Sequence, residues 1–498
     1  MLRNFYPPAV SKQTPKNQLS EAAIRAIYGQ GEEAVVSLVS ELLERLSQLE
    51  ADVKELKGRL GKNSRNSSKP PSGDGFRKRT RSLRRKSEKP SGGQAGHPGQ
   101  TLEWSSHPDF IEQHPVESCS KCGCSLAAVA VSGLLARQVF DIPPIELLVT
   151  EHQVDVKCCR DCGQMSQGDF PFEASNVVQY GPRLKGIMVS VMEGQLLPSA
   201  RTCECLDDLL GVEVSEGTLY NVRAQCNELI APTDAAIKQA IDTAEVVHFD
   251  ETGFRVNQKL WWLHVAATDG LTYYFVHPKR GQIAMNEMGI LPDFEGKAVH
   301  DGLKSYQGYD CEHFLCNAHH LRELQYVLEH DHQWWAFHLT VLLVSIHSQV
   351  KALKAQQKTA LPSEELATLS NRYDEILATG FKQNPMPPPD PNQPKKRGRV
   401  KRSVPRNLLE RLQTHKAAVL GFMYDFDIPF DNNQAERDLR MMKLKLKISG
   451  CFRSEQGARE FCRIRGFLST IRKQGLDVLE TLVDLFSGNM PSLLPQPE

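Results

Sequence analysis

Long apolar runs are missing from this sequence. None approaches the length needed to cross a bilayer, so no membrane segment is expected. The N-terminus, Met1-Leu-Arg-Asn-Phe-Tyr-Pro-Pro, lacks the apolar core of a secretory signal, and a cytoplasmic location is expected. Net charge is missing as well. The 60 Lys and Arg balance 60 Asp and Glu, so the total neither favours nor opposes a polyanionic partner. Disulfides are not expected: the 13 cysteines are an odd number and partly clustered, which in a reducing compartment favours metal ligation or free thiols. What remains is an ordinary soluble composition, 40% hydrophobic and 24% charged, over 498 residues. That length implies several domains.

The charge is neutral in sum but not in distribution. Arg77-Lys-Arg-Thr-Arg-Ser-Leu-Arg-Arg-Lys86 and Pro394-Lys-Lys-Arg-Gly-Arg-Val-Lys-Arg402 are basic runs, and 437–473 is rich in Lys and Arg. Each could be a solvated face or tail. Together they suit a DNA-handling protein with acidic helices elsewhere.

The segment 20–60 contains a helical pattern with a heptad seam: Val39, Leu42, Leu46, Leu49, Val53, Leu56 and Leu60. Alternating steps of three and four are the a/d signature of a self-associating coil; the alternative is an amphipathic helix packed on its own chain. Residues 61–104 follow as a Gly-, Ser-, Pro- and Lys/Arg-rich linker that buries too little apolar surface to fold alone.

Within 105–178, Cys119-Ser-Lys-Cys122-Gly and Cys159-Arg-Asp-Cys162-Gly are two C-x-x-C-Gly knuckles. Two knuckles supply four thiolates, the complement of a tetrahedral Zn²⁺. Cys119, Cys122, Cys159 and Cys162 are the expected ligands, with Cys124 and Cys158 as neighbours; buried free thiols are the alternative. Residues 137–142 and 145–152 read as strands between the knuckles, which gives a zinc-ribbon-like module.

Residues 179–240 are helical. A helix ends at Gly211 and another starts at Ser215, a helix-turn-helix pattern or an ordinary helical hairpin. In the first case Thr218, Tyr220, Asn221 and Arg223 would face DNA.

From Glu245 the pattern changes to strands. Val246 to Phe249 reaches Asp250, and the strand is expected to break at Gly253. Residues 261–267 and 271–276 form a hairpin across Thr268-Asp-Gly270. Residues 282–290 are helical, 297–300 a strand ending at Asp301, and 314–316 a fifth strand. Glu436 lies on a helical pattern opened by Asp431. A lone Asp is commonly a turn or cap residue. Three carboxylates on separate elements, meeting around two divalent ions, would instead make a phosphoryl-transfer site. Arg437 and Arg440 flank Glu436 and could hold phosphates. Glu251 and Asp431 are second choices as ligands, because their faces should differ from those of Asp250 and Glu436. Cys316 and His319 are read as structural rather than as a second metal pair.

The chain resembles the large DDE transposases of bacterial insertion sequences of the IS66 group, from about Leu42 to Leu482. The resemblance is carried by Asn63-Ser-Arg-Asn-Ser-Ser-Lys-Pro-Pro-Ser72, Gly92-Gly-Gln-Ala-Gly-His-Pro-Gly99, the two knuckles and Gly211-Val-Glu-Val-Ser-Glu-Gly-Thr-Leu219. Its most specific parts are Asp250-Glu-Thr-Gly253, Asp301-Gly-Leu-Lys-Ser-Tyr306, Cys316-Asn-Ala-His319 and Asn432-Asn-Gln-Ala-Glu-Arg437. It implies Asp250, Asp301 and Glu436 as catalytic residues, Mg²⁺ as cofactor, and DNA cleavage at element ends with strand transfer of the 3′-OH. The expected architecture is multidomain α/β. A ribonuclease-H-like catalytic core occupies 241–318 and 429–487, interrupted by a helical insertion at 319–428. The coil, the zinc-ribbon-like module and the helix-turn-helix-like DNA-binding region precede it. Expected partners are transposon-end and target DNA and a second copy through the N-terminal coil, with room for accessory proteins of the same element. The expected setting is the nucleoid. The competing reading is a catalytically inactive relic or a zinc-containing DNA-binding regulator.

Overall fold

The computed structural model describes residues 20–63, 66–67, 102–172, 174–386, 402–489 and 493. The basic run at 77–86, most of the linker and the run at 394–401 lie outside them. In chain order the helices are α1 Glu21–Tyr28, α2 Glu32–Gly61, α3 Pro182–Val189, α4 Ser199–Leu210, α5 Glu216–Asp242, α6 Gln282–Met288, α7 Asn317–Asp331, α8 Trp334–Lys354, α9 Ser363–Gln383, α10 Val404–Thr414, α11 Lys416–Tyr424, α12 Asn433–Ile448, α13 Glu455–Lys473 and α14 Val478–Phe486. The strands are β1 Val156–Cys158, β2 Met165–Gln167, β3 Val246–Val256, β4 Lys259–Ala267, β5 Thr272–His277, β6 Lys297–His300 and β7 Glu312–Leu315.

The chain divides into two compact units. One comprises Met1–Arg81, His319–Leu342 and Arg372–Glu410; the other comprises Ser82–Ala318, Leu343–Asn371 and Arg411–Glu498. In the first, Ser20 caps α1 by accepting from the Ala23 amide at 3.2 Å. The C-terminal end of α2 lies against α7: a Cβ on Gly58 would stand 2.7 Å from the Tyr326 hydroxyl. Asn66 Nδ2 donates to Glu329 at 3.2 Å. The heptad residues of α2 are exposed, from 46% at Leu42 and Val53 to 79% at Leu60.

The second unit is organised on a mixed five-stranded sheet in the order β5-β4-β3-β6-β7. β3, β4 and β5 run antiparallel, and β6 and β7 run parallel to β3. Strand alternation sends β3 side chains to opposite faces. Val247 and Phe249 pack with Ile237 and Ile241 of α5 and with Met285 and Met288 of α6. Phe254 and Val256 pack with Leu439 and Met442 of α12 and Phe461 of α13. Burying each such side chain contributes roughly 1.5–3 kcal/mol. A third core joins α3, α4 and the first half of α5 to α13 and α14 through Met188, Leu206, Leu219, Val222, Phe467 and Leu482. Gly466 lets α13 approach β5, where a Cβ would meet the Thr272 carbonyl at 3.0 Å. Lys473 ties that corner by donating to the Thr268 and Leu271 carbonyls at 2.8 and 2.9 Å and to Asp438 at 2.9 Å.

Three expectations need correction, and a fourth, the helical region at 179–240, is met and refined. β3 does not break at Gly253 but runs on to Val256. Its partner β4 holds it there, with Gly253 opposite Trp262, and Asn257 and Gln258, both at positive φ, turn the hairpin. Asp250 is therefore mid-strand. Residues 137–142 and 145–152 form no ladder; they are almost entirely exposed, so alternation there has no core to face. The strands of that segment are instead β1 and β2, which are antiparallel and flank the second knuckle. The helical region extends to Asp242 and includes a π-helical turn at Ser190–Gly194. Finally, α8 is one helix long and apolar enough to cross a membrane by length and composition. Trp335, Leu339, Leu343 and Ile346 on it are buried in this fold.

Candidate active site

The register of β3 on β6 sets the first two carboxylates. His248 lies opposite Val299 in a parallel pair. Two residues further along, Asp250 comes beside Asp301, at the usual interstrand spacing of about 4.8 Å. One carboxylate oxygen from each of Asp250, Glu251 and Asp301 lies within 4.8 Å of the others. Asp250 shares strand parity with Phe254 and faces the α12 layer. Glu251 shares parity with Phe249 and faces the other layer. Its side chain accepts from the Tyr306 hydroxyl at 2.7 Å and from Arg280 at 2.7 and 2.9 Å. The Arg280 guanidinium also covers the Trp262 ring, 4.9 Å from its centroid.

Glu436 sits on the first turns of α12, and Asn432 sets where that helix begins. Asn432 is buried. Its Nδ2 donates to the Phe249 carbonyl at 2.7 Å, its Oδ1 pairs with His248 Nδ1 at 2.8 Å, and its amide donates to Cys316 Sγ at 3.1 Å. One side chain thus pins the α12 N-terminus to the residue before Asp250. Cys316 thus accepts a hydrogen bond from the backbone at the start of α12. His319 belongs to the other unit.

The carboxylates act on one another. Burial pushes the Asp250 carboxyl well above the usual range, and the charges of Glu251, Asp301 and Glu436 push it further, against the Glu251 amide. Burial also raises Glu251, with Asp301 adding to it, while Tyr306 and Arg280 work against the rise. Burial lowers the Lys443 ammonium, which Asp250 partly offsets. Hard oxygen donors crowded at unfavourable mutual charge fit an oxygen-seeking divalent cation such as Mg²⁺. A cleft of about 760 Å³ at the start of β3, lined by Glu245, His248, Thr268, Lys354 and Phe426, contains none of these carboxylates.

Arg437 and Arg440 are exposed on α12, and Lys443 and Lys447 continue the same side of the helix. Arg437 also donates to Gln434 at 2.6 Å. On α5, Ser215 caps the helix by accepting from the Thr218 amide at 3.1 Å. Tyr220 and Asn221 are exposed and Thr218 is half-buried. Arg223 is not displayed to solvent: it bonds Glu460 at 2.8 Å, lies 3.8 Å from Glu193 and stacks on Tyr220. Its guanidinium is thus committed to an ion cluster with Glu460 and Glu193.

The two knuckles repeat one geometry. The Gly123 amide donates to the Cys119 carbonyl at 2.9 Å, as Gly163 does to Cys159 at 2.9 Å. Both glycines sit at positive φ, 74° and 72°, which the turn requires. The amides of Cys122 and then Lys121 lower the Cys119 thiol; those of Cys162 and then Asp161 lower Cys159. The clusters of close ligand atoms among the described residues do not include these four sulfurs.

Sequence reasoning missed the holders. Asn432 was part of a motif but had no role, and Tyr306 and Arg280 were unassigned. An Asn pair at the start of a helix whose apolar stripe is Ala435, Leu439 and Met442 was the available signal for Asn432. Nothing local announced Arg280.

Residues 178–460, more than half of the chain, match the family model described as Transposase IS66 family. Residues 117–163 match the zinc-finger binding domain of transposase IS66, and residues 8–103 match a family of unknown function. No curated protein matches the chain. A transposase with its own zinc-finger module is the class these findings define. The chain belongs to the Transposase IS66 family.

Proposed function

We propose that this chain cuts DNA at the ends of an insertion sequence and joins the freed 3′-OH to target DNA. The observation that carries the reading is the meeting of Asp250 and Asp301 across the β3–β6 pair, with Glu436 close enough for its charge to act on Asp250. The strand order β5-β4-β3-β6-β7 supports a ribonuclease-H-like core. Asp250, Asp301 and Glu436 would hold two Mg²⁺ ions. When bound, such ions activate the attacking water or 3′-hydroxyl and stabilise the leaving oxygen. Glu251, held by Tyr306 and Arg280, keeps the floor of the acidic group fixed. Arg437, Arg440 and Lys443 position the phosphates beside it. Thr218, Tyr220 and Asn221 face DNA from α5. Cys119, Cys122, Cys159 and Cys162 take Zn²⁺, and this module helps to grip the element ends. The exposed seam of α2 joins copies of the chain, and the protein works at the nucleoid.

A strand-transfer assay with terminal-repeat DNA tests the reading. Joined products are expected from the parent protein and not from Asp250→Asn or Glu436→Gln. DNA binding without any cleavage by the parent would overturn it in favour of a regulator or relic.

A further inference from the structure

Past the acidic group, one edge of β3 stays open. β6 pairs with β3 only from Val246 to His248. Beyond Asp250 no strand lies on that edge, and a single bridge to Phe452 closes it at Val256. The Gly253 carbonyl accepts there from Lys443 Nζ at 3.4 Å. The Arg255 carbonyl accepts from the Phe452 amide at 3.1 Å, and the Asn257 amide donates to the Phe452 carbonyl at 2.8 Å. The turn after α12 is thus stitched to the tip of the β3–β4 hairpin. Helix and hairpin make one face that leads away from Asp250, all of it within the sheet-bearing unit.

This face is cationic along its length. Arg255, Lys259, Arg440, Lys443, Lys447 and Arg453 are exposed on it. No Asp or Glu occurs in 252–264 or 439–453. The next carboxylate along the chain, Glu455, is taken by Arg459 at 2.7 Å. The ion pairs among the described residues include none of the six cations. Arg440, Lys443 and Lys447 stand three and four residues apart on α12, where like charges repel. A face that meets only water ordinarily carries both signs interspersed. A one-sign array that is costly alone is complementary to a polyanion. From Asp250 to Val256 the strand covers about 20 Å, at roughly 3.3 Å per residue. One strand of a DNA duplex presents a phosphate about every 3.4 Å of axis, so the face matches about six base pairs.

We infer that this face holds the target duplex where it leads away from the joining point. The inference rests on the proposed cutting and joining of DNA, and adds where the target lies. Arg440 and Lys443 serve the reacting phosphate; Lys259, Lys447 and Arg453 form the far end of the track. Cations aligned along a backbone grip phosphates and carry no sequence information. Such a grip suits target DNA, whose sequence varies, and not the element ends, which must be recognised.

The test compares the full-length protein with the triple variant Lys259→Ala, Lys447→Ala, Arg453→Ala. All three side chains are exposed, so the circular-dichroism melt should not move. Should it move, Lys447→Gln with Arg453→Gln, which keeps the aliphatic stems, repeats the measurement. Binding to a duplex of arbitrary sequence is followed by fluorescence anisotropy against salt. The logarithmic salt slope should become shallower by about 2–3, since each lost phosphate contact removes about 0.9. Joining of element ends into a plasmid target should fall at least about tenfold, and cleavage at the terminal repeat should fall by less. Equal loss of cutting and joining would give the face to the element end and overturn the inference. An unchanged salt slope or unchanged joining would make it a solvated surface and overturn it as well. A parent protein that neither cuts nor joins would instead overturn the function on which the inference rests.

Discussion

Asp250 is held in a place that opposes its own ionisation. Burial and three neighbouring carboxylates raise its pKa above the usual value near 3.8. A carboxyl raised in this way contributes stability at pH below its unfolded pKa, and the contribution is lost as pH rises through the folded value. The metal-free protein should therefore lose melting temperature as pH is raised from the ordinary carboxylate range toward neutrality. Asp250→Asn should remove part of that slope, and Mg²⁺ should raise the melting temperature more at the higher pH. Differential scanning calorimetry across pH, with and without Mg²⁺, reads all three; a slope unchanged in Asp250→Asn would contradict the crowding. Asn432 is the second residue whose role is physical before it is chemical. Truncating it to alanine strips the Phe249 carbonyl and His248 Nδ1 of their partner in a buried setting. The expected cost is about 1–3 kcal/mol in denaturant unfolding. Activity should fall further than stability, because α12 loses its register on β3.

At the scale of elements, the sheet was legible because its strands are short runs of apolar, β-branched and aromatic residues bounded by turn residues. Residues 261–267 and 271–276 were anticipated almost to the residue, as was the Thr268-Asp-Gly270 turn. What misled was a local rule. Gly253 reads as a strand break, but nine consecutive pairings with β4 outweigh the weak strand preference of one glycine. The meeting of Asp250 with Asp301 could not be read locally, since it follows from parallel register between segments about fifty residues apart; the family resemblance supplied it. The zinc-finger segment failed in the opposite way. Its apparent strands at 137–142 and 145–152 have a strand-like composition but no buried residue beneath them: none of the described residues from 102 to 172 is buried. A segment without an apolar core depends on its metal for folding energy. Chelation should therefore make 105–172 protease-sensitive while leaving the melting of the sheet-bearing unit unchanged. Metal analysis should show one Zn²⁺ per chain, lost in Cys122→Ser with Cys162→Ser. Full zinc content in that double variant would assign the ion elsewhere.

For the whole molecule, the proposed function assigns DNA cutting to the sheet, metal-held grip to the zinc-finger segment and association of copies to α2. Its centre is one claim: Asp250, Asp301 and Glu436, drawn from two neighbouring strands and a clamped helix, jointly seat divalent cations. Titration calorimetry of Mn²⁺ into the full-length protein tests this most directly, because it reads the seat without requiring the DNA substrate. The account expects the parent protein to bind Mn²⁺, and Asp250→Asn, Asp301→Asn and Glu436→Gln each to weaken that binding at least about tenfold. Binding unchanged in any one of the three would remove that residue from the seat and contradict the shared site.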